Sequence, residues 1–274
     1  MNLIQAIILG IVQGATEFLP VSSSGHLVLA PWWLGWGEVN SLTFTVAAHL
    51  GTLCAVLVYF RQDWLAILRG GLALLRTRSL ADPYGRLFLY LIIGSIPAGL
   101  AGLLFAAALE QAFANAAAAA AFLLVTAALL ILSERWAARR PATRALDTFR
   151  WADALFVGLA QMLALLPGIS RSGSTIAAGL FRGVSRTDAA RFSFLLSTPA
   201  ILGAGLLAAV DLLAAQTTGG ELLLLVAGFV SAGLVGYLAI AFLLAHLRQH
   251  RLYLFAAYCV VVGLVSLLAA LAGR

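Results

Sequence analysis

The stretch GIVQGATEFLPVSSSGH, Gly10–His26, decides how this chain is read. It continues an apolar helical pattern that runs through Leu3, Ile4, Ile7, Ile8, Ile11 and Val12. Gln13 and Glu17 stand four residues apart and share one helical face. Pro20 then removes a backbone donor and breaks the helix. Ser22-Ser23-Ser24-Gly25 follows as a hydroxyl-rich, permissive turn, His26 ends the break, and Leu27–Ala30 resume the apolar pattern. A carboxylate, three hydroxyls and an imidazole are therefore expected inside a hydrophobic hairpin. Broken backbone at membrane depth survives only where protein or a water-filled cavity surrounds it. An ionisable residue there is a candidate for function.

Composition sets the class. The 274 residues are 62% hydrophobic and 10% charged, with mean hydropathy +1.01. This is the composition of a polytopic membrane protein, with length for roughly six to eight membrane segments. All 17 basic residues are Arg, and they cluster in short stretches between apolar runs. That placement is the positive-inside pattern rather than a nucleic-acid-binding patch, so no nucleic-acid partner is expected despite the net charge of +6. Cys54 and Cys259 lie in apolar runs and read as small core residues, without disulfide or metal spacing. The first residues carry no basic region and no small-residue cleavage site, so a cleaved signal peptide is not expected.

The rest of the chain alternates accordingly. Trp32, Trp33 and Trp36 read as an interfacial belt, with Glu38 and Asn40 outside. Leu42–Phe60 reads as a spanning helix in which His49 is a packed, hydrogen-bonded histidine. Arg61–Arg86, with five Arg, reads as a cytoplasmic loop. Leu87–Ala108 spans outward, Glu110-Gln111 forms a short outer turn, and Ala116–Ser133 spans inward. Glu134–Arg150, again with five Arg, is cytoplasmic. A second polar break follows: Asp153–Leu166 is helical with Asp153 as its N-cap, Pro167-Gly168 stops it, and Ile169–Thr175 carry Ser170, Arg171, Ser172, Ser174 and Thr175. Ile176–Phe181 return to the same side. Ser185-Arg186-Thr187-Asp188 fits a capping box for the next helix. Ala189–Val210, Leu222–Leu247 and Leu252–Ala272 read as spans, with Asp211–Glu221 as an acidic outer loop and His246–Arg251 cytoplasmic.

An internal repeat underlies this order. At a constant offset of 148, Gly10 matches Gly158, Gln13 matches Gln161, and Ser22, Ser24 and Gly25 match Ser170, Ser172 and Gly173. Phe44 likewise matches Phe192. The expected fold is an all-α polytopic membrane protein with an inverted-topology repeat. Each half is one re-entrant helical hairpin plus three transmembrane helices, forming a single membrane domain over 1–274 (repeat one 1–148, repeat two 149–274). Inverted repeats bring their broken helices together near the bilayer midplane.

The two breaks carry complementary chemistry. Arg171 supplies a guanidinium with five donors, and Ser170, Ser172, Ser174 and Thr175 supply hydroxyls where a short helix opens. That set suits an anion, phosphate above all. Glu17, Ser22–Ser24 and His26 supply candidates for base, nucleophile or metal ligand. Glu17 and Arg171 would each be costly alone at depth, so one cavity is expected to hold Glu17, Ser23, His26, Arg171 and Thr175.

These residues carry a family resemblance. Gln13–Glu17 and Pro20–His26 are similar to the first motif, (E/Q)-x-x-x-E followed by P-x-S-S-x-G-H, of the bacterial undecaprenyl-diphosphate phosphatase family, the bacitracin-resistance type of integral membrane enzyme. Pro167–Thr175 match the second, P-G-x-S-R-S-x-x-T, at every fixed position. The resemblance runs along the whole chain. It implies hydrolysis of undecaprenyl diphosphate to the monophosphate and phosphate in the bacterial inner membrane, with the site facing outward. It implies catalytic roles for Glu17, Ser23, His26 and Arg171, phosphate contacts from Arg171, Thr175, Ser172, Ser170 and Ser22, and a divalent cation, Mg²⁺ or Ca²⁺, at Glu17 and Gln13. Gln13 is the amide option where many members carry Glu. The nucleophile stays open among water, His26 and Ser23, and the oligomeric state stays open, a homodimer included. The competing reading is a transporter or flippase of a polyprenyl phosphate, since inverted repeats and broken helices are also transporter features.

Overall fold

The computed structural model describes residues 1–36, 41–113, 115–140, 142–214 and 219–273; of residues 110, 204 and 206–214 only the backbone is described. The positions of Glu38 and Asn40, and the centre of the expected acidic loop Asp211–Glu221, lie outside this description.

Twelve α-helices make up the described chain: α1 Leu3–Phe18, α2 Ser23–Leu34, α3 Leu42–Tyr59, α4 Arg61–Thr77, α5 Pro83–Leu104, α6 Ala106–Phe113, α7 Ala116–Arg139, α8 Trp151–Leu163, α9 Arg171–Phe181, α10 Arg186–Ala214, α11 Gly219–Leu247 and α12 Tyr253–Leu271. Among the described residues five of them, α3, α5, α7, α11 and α12, are long and apolar enough to cross a membrane. Their outward faces stay apolar: Leu100, Leu103, Leu234, Leu238 and Leu268 are all exposed. In lipid such a face costs nothing, and backbone polarity is satisfied within each helix.

Two expected loops are helical. The five Arg of Arg61–Arg86 point to a loop, yet the segment holds α4, whose Ile67, Gly70 and Gly71 bury one face. The outer turn at Glu110-Gln111 lies within α6. Cys54, expected in the core, is exposed on α3, whereas Cys259 is buried. Asp153 is not the N-cap of α8. Arg150 holds that position, and its N–H donates to Asp153 Oδ2 at 3.0 Å. Asp153 is fully buried and accepts from Arg144 at 2.8 Å and Arg182 at 2.6 Å. The capping pattern at Ser185 is present, with Asp188 N–H donating to Ser185 Oγ and that hydroxyl donating to Asp188.

Helix packing runs between sequence-distant partners. α1 lies against α11, α11 against α3, α7 against α12, and α8 against α5. Small residues permit the closest approaches: a Cβ added at Gly158 would come within 2.5 Å of Gly94 O, and one at Gly14 within 2.5 Å of Ala232 O. Buried Glu134 of α7 ties the ends of two further helices. It accepts from Arg186 at 2.9 and 2.5 Å and from Leu252 N–H at 3.0 Å.

Candidate active site

Both polar breaks are built by side-chain capping. The first is Leu19–Ser22, between α1 and α2, shorter than the sequence suggests because Ser23–His26 already belong to α2. Ser22 caps α2, accepting from Gly25 N–H at 3.2 Å, and adopts φ 71°, a left-handed conformation that costs a serine of order 1–3 kcal/mol. The second break precedes α9. Ser170 caps that helix by accepting from Gly173 N–H at 3.0 Å. Gly168 sits at φ 100°, and a Cβ there would lie 2.2 Å from Ala119 O. Thr126 of α7 pins this break, donating to Gly168 O at 2.8 Å and accepting from Ser170 N–H at 2.9 Å.

The breaks touch each other. Ser172 Oγ donates to Leu19 O at 3.0 Å, and a Cβ at Gly25 would lie 2.9 Å from Gly168 Cα. The two motifs, 145 residues apart at His26 and Arg171, therefore form one cluster.

Glu17 is its centre. Its carboxylate, 7% exposed, accepts from Arg171 at 2.7 Å, from Ser23 Oγ at 2.5 Å and from Gln13 Nε2 at 3.0 Å. Arg171 also donates to Ser193 O at 3.0 Å. Two of its five donors are thus anchored at these contacts, which hold the fork in place. Thr175 Oγ1 lies 2.8 Å from Arg171 O and 2.6 Å from Ser193 Oγ. His26 Nδ1 faces Ser22 O at 2.8 Å. A carbonyl only accepts, so this nitrogen carries the hydrogen and Nε2 faces the Tyr258 hydroxyl at 2.8 Å. The His26 and Tyr258 rings stack at 5.6 Å.

A family model described as bacitracin resistance protein BacA matches residues 6–265. The chain belongs to the BacA family. Among its relatives, the undecaprenyl-diphosphatase of Thermomicrobium roseum is 48% identical over 273 residues, 98% of each chain. Those of Desulforudis audaxviator and Gemmatimonas aurantiaca are each 43% identical, over 99% and 100% of both chains.

Within this BacA-family chain the sequence reading missed four contributors. His49, read as packed and hydrogen-bonded rather than as a site residue, has that hydrogen bond, Nδ1 to Thr45 O at 2.8 Å, and also places Nε2 3.6 Å from Glu17 Oε2. Thr126, Ser193 and Tyr258 hold Ser170, Arg171 with Thr175, and His26 respectively. Each is a polar residue on a long helix, and that isolation is the one local signal available. Of the expected phosphate contacts, Ser22 and Ser170 have hydroxyls that cap helices, and Ser172 donates to Leu19. Trp33 donates to Ser266 Oγ at 2.9 Å and packs edge-on against Trp32.

Proposed function

We propose that this chain hydrolyses undecaprenyl diphosphate to undecaprenyl phosphate and phosphate, recycling the lipid carrier for cell-wall synthesis and giving bacitracin resistance. The observation that carries the reading is the 2.7 Å contact between Arg171 and Glu17, which joins a phosphate-binding fork to a base in a chain whose relatives are undecaprenyl-diphosphatases.

The chemistry follows from the cluster. An oxygen nucleophile attacks the terminal phosphorus, the anhydride P–O bond breaks, and undecaprenyl phosphate leaves with the electron pair. Glu17 accepts the nucleophile's proton, whether the hydroxyl is water's, which releases phosphate directly, or that of Ser23, which already donates to it at 2.5 Å. In the second case water then attacks the phosphoserine, the Oγ–P bond breaks, the proton returns to Oγ and phosphate leaves. Arg171 clamps the phosphoryl oxygens and neutralises charge as the anhydride opens. Thr175, Ser172, Ser170 and Ser22 shape the anion-binding helix ends, and Tyr258 orients His26.

A divalent cation, Mg²⁺ or Ca²⁺, fits this site. Gln13 Oε1 is a fully buried oxygen without a hydrogen-bond partner, on the same amide whose Nε2 donates to Glu17. Gln13 and Glu17 would hold the ion, and when bound it would offset charge on the diphosphate. No group of three or more His, Cys, Asp or Glu stands ready for a metal among the described residues. Few protein ligands, completed by substrate oxygens and water, are the usual Mg²⁺ arrangement.

The inverted repeat has further support in matching contacts. Gln5 accepts the N–H of Asn2 at 2.8 Å at the start of α1, and Asp153 accepts that of Arg150 at 3.0 Å at the start of α8, again at offset 148. α1 packs on α11 and α8 on α5, so each half's leading helix lies on the other half's second long helix. In this reading α1–α2 and α8–α9 are the re-entrant hairpins of an inner-membrane protein, the Arg-rich segments are cytoplasmic, and the site opens outward. The polyprenyl tail would run along lipid-facing apolar surface. The ≈ 580 Å³ groove between α3 and α11, lined by Gly51, Cys54, Val230 and Leu234, begins two residues beyond His49 and offers such a course.

The test is phosphate release from undecaprenyl diphosphate by the purified protein in detergent. Release that depends on the protein is expected; binding without release would make the chain a carrier of the lipid instead.

A further inference from the structure

Helix α4 has three faces. The first, with Ile67, Gly70 and Gly71 buried, meets α5: a Cβ at Gly70 would lie 2.5 Å from Gly85 N, and one at Gly71 2.8 Å from the Phe88 ring. Asp63 pairs with Arg191 of α10 and fixes the rotation of α4 about its axis. The second face is a stripe of leucines at helical spacing, Leu65, Leu68, Leu72 and Leu75, which are 54, 58, 49 and 71% exposed. The third borders the stripe: Arg69 and Arg76, one heptad apart and both exposed, with Arg61 at the start of the helix and Arg78 just past its end.

At 17 residues α4 is about 25 Å long, and it is not among the described helices apolar enough to cross a membrane. Its leucine stripe lies beside the protein face, with arginines along the next edge. A helix lying in a membrane surface has this arrangement: leucines meet acyl chains, and arginine stems run up the apolar boundary to place guanidiniums among headgroups. The charge is one-sided. Against Arg61, Arg69, Arg76 and Arg78 the helix carries one acid, Asp63, already engaged by Arg191. The complementary partner is anionic.

We propose that α4 is an interfacial helix that docks the protein on anionic phospholipid, with Leu65, Leu68, Leu72 and Leu75 at the acyl-chain boundary and Arg69 and Arg76 on lipid phosphates. This surface is separate from the Glu17–Arg171 site and does not depend on the reaction assigned to it.

The full-length protein, with Cys54→Ala and Cys259→Ala, takes single spin labels through Leu68→Cys, Leu72→Cys, Arg69→Cys or Arg76→Cys. It is reconstituted in phosphatidylcholine vesicles with or without phosphatidylglycerol. The labels at 68 and 72 are expected to be relaxed by oxygen and shielded from a water-soluble nickel chelate, and to lie deeper than those at 69 and 76. Phosphatidylglycerol should deepen them, and Arg69→Gln with Arg76→Gln should cancel that deepening at position 72. Nickel access equal to that of a free helix would overturn the proposal. So would a depth indifferent to lipid charge and to the arginine substitutions. Spin–spin broadening that grows with the labelled fraction would overturn it too, since a second copy would then cover the stripe.

Discussion

Glu17 accepts hydrogen bonds from three different side chains, and each bears on a different part of the proposed reaction: Arg171 the phosphate, Ser23 the nucleophile, Gln13 the cation. Glu17→Gln keeps the shape and removes both the charge and the proton acceptor. Turnover should fall by about 10²–10⁴, the usual loss for a positioned base, while the protein still elutes as a folded species in detergent. Near-normal phosphate release would remove Glu17 from the chemistry. The sequence made this residue legible because an ionisable group beside a Pro and Ser-rich break has few structural roles at depth. His49 and Ser193 were not legible in the same way. Each is a polar residue in an apolar helix, and its partner at the site is fixed by helix packing rather than by neighbouring sequence.

At the scale of helices, the contact between α5 and α8 depends on missing side chains. A Cβ at Gly158 would overlap the backbone of Gly94, which cannot swing aside, whereas one at Gly99 on the same α5 meets nothing within 4 Å. Gly158→Ala should therefore destabilise by about 1–3 kcal/mol. Gly99→Ala should be neutral or stabilise by up to about 1 kcal/mol through helix propensity. Thermal unfolding in one detergent measures both, and equal midpoints for the two variants would contradict the packing. α4 shows where element reading failed. Its leucine spacing was present in the sequence, but five Arg between residues 61 and 86 outweighed it and the segment read as a loop. A charged stretch that keeps apolar spacing of three and four is an interfacial helix as readily as a connection. The breaks were located well, and their edges poorly, because Ser23 and Arg171 begin helices that capping hydroxyls at Ser22 and Ser170 make possible.

For the whole molecule, the long helices were legible from hydropathy, and the offset of 148 is the sequence basis of the proposed inverted repeat. The sequence could not specify which helices would meet, since α1 with α11 and α8 with α5 are contacts across the full chain. The orientation has its own test. Single cysteines at 140 and 110, in a background lacking Cys54 and Cys259, are probed in intact cells with an impermeant reagent. The inverted arrangement predicts labelling at 110 and none at 140, and the reverse pattern would overturn it. In the proposed reaction Glu17 from the first half and Arg171 from the second act on one phosphate. A double-mutant cycle on phosphate release, using Glu17→Asp and Arg171→Lys so that activity stays measurable, distinguishes one shared site from two independent ones. Arg171→Lys alone keeps the charge and loses the fork, and should cost about 10²–10³ in turnover. Strong coupling is expected for a shared phosphate: the double variant should be little slower than the slower single variant. Losses that simply multiply would mean that the two residues work at separate places.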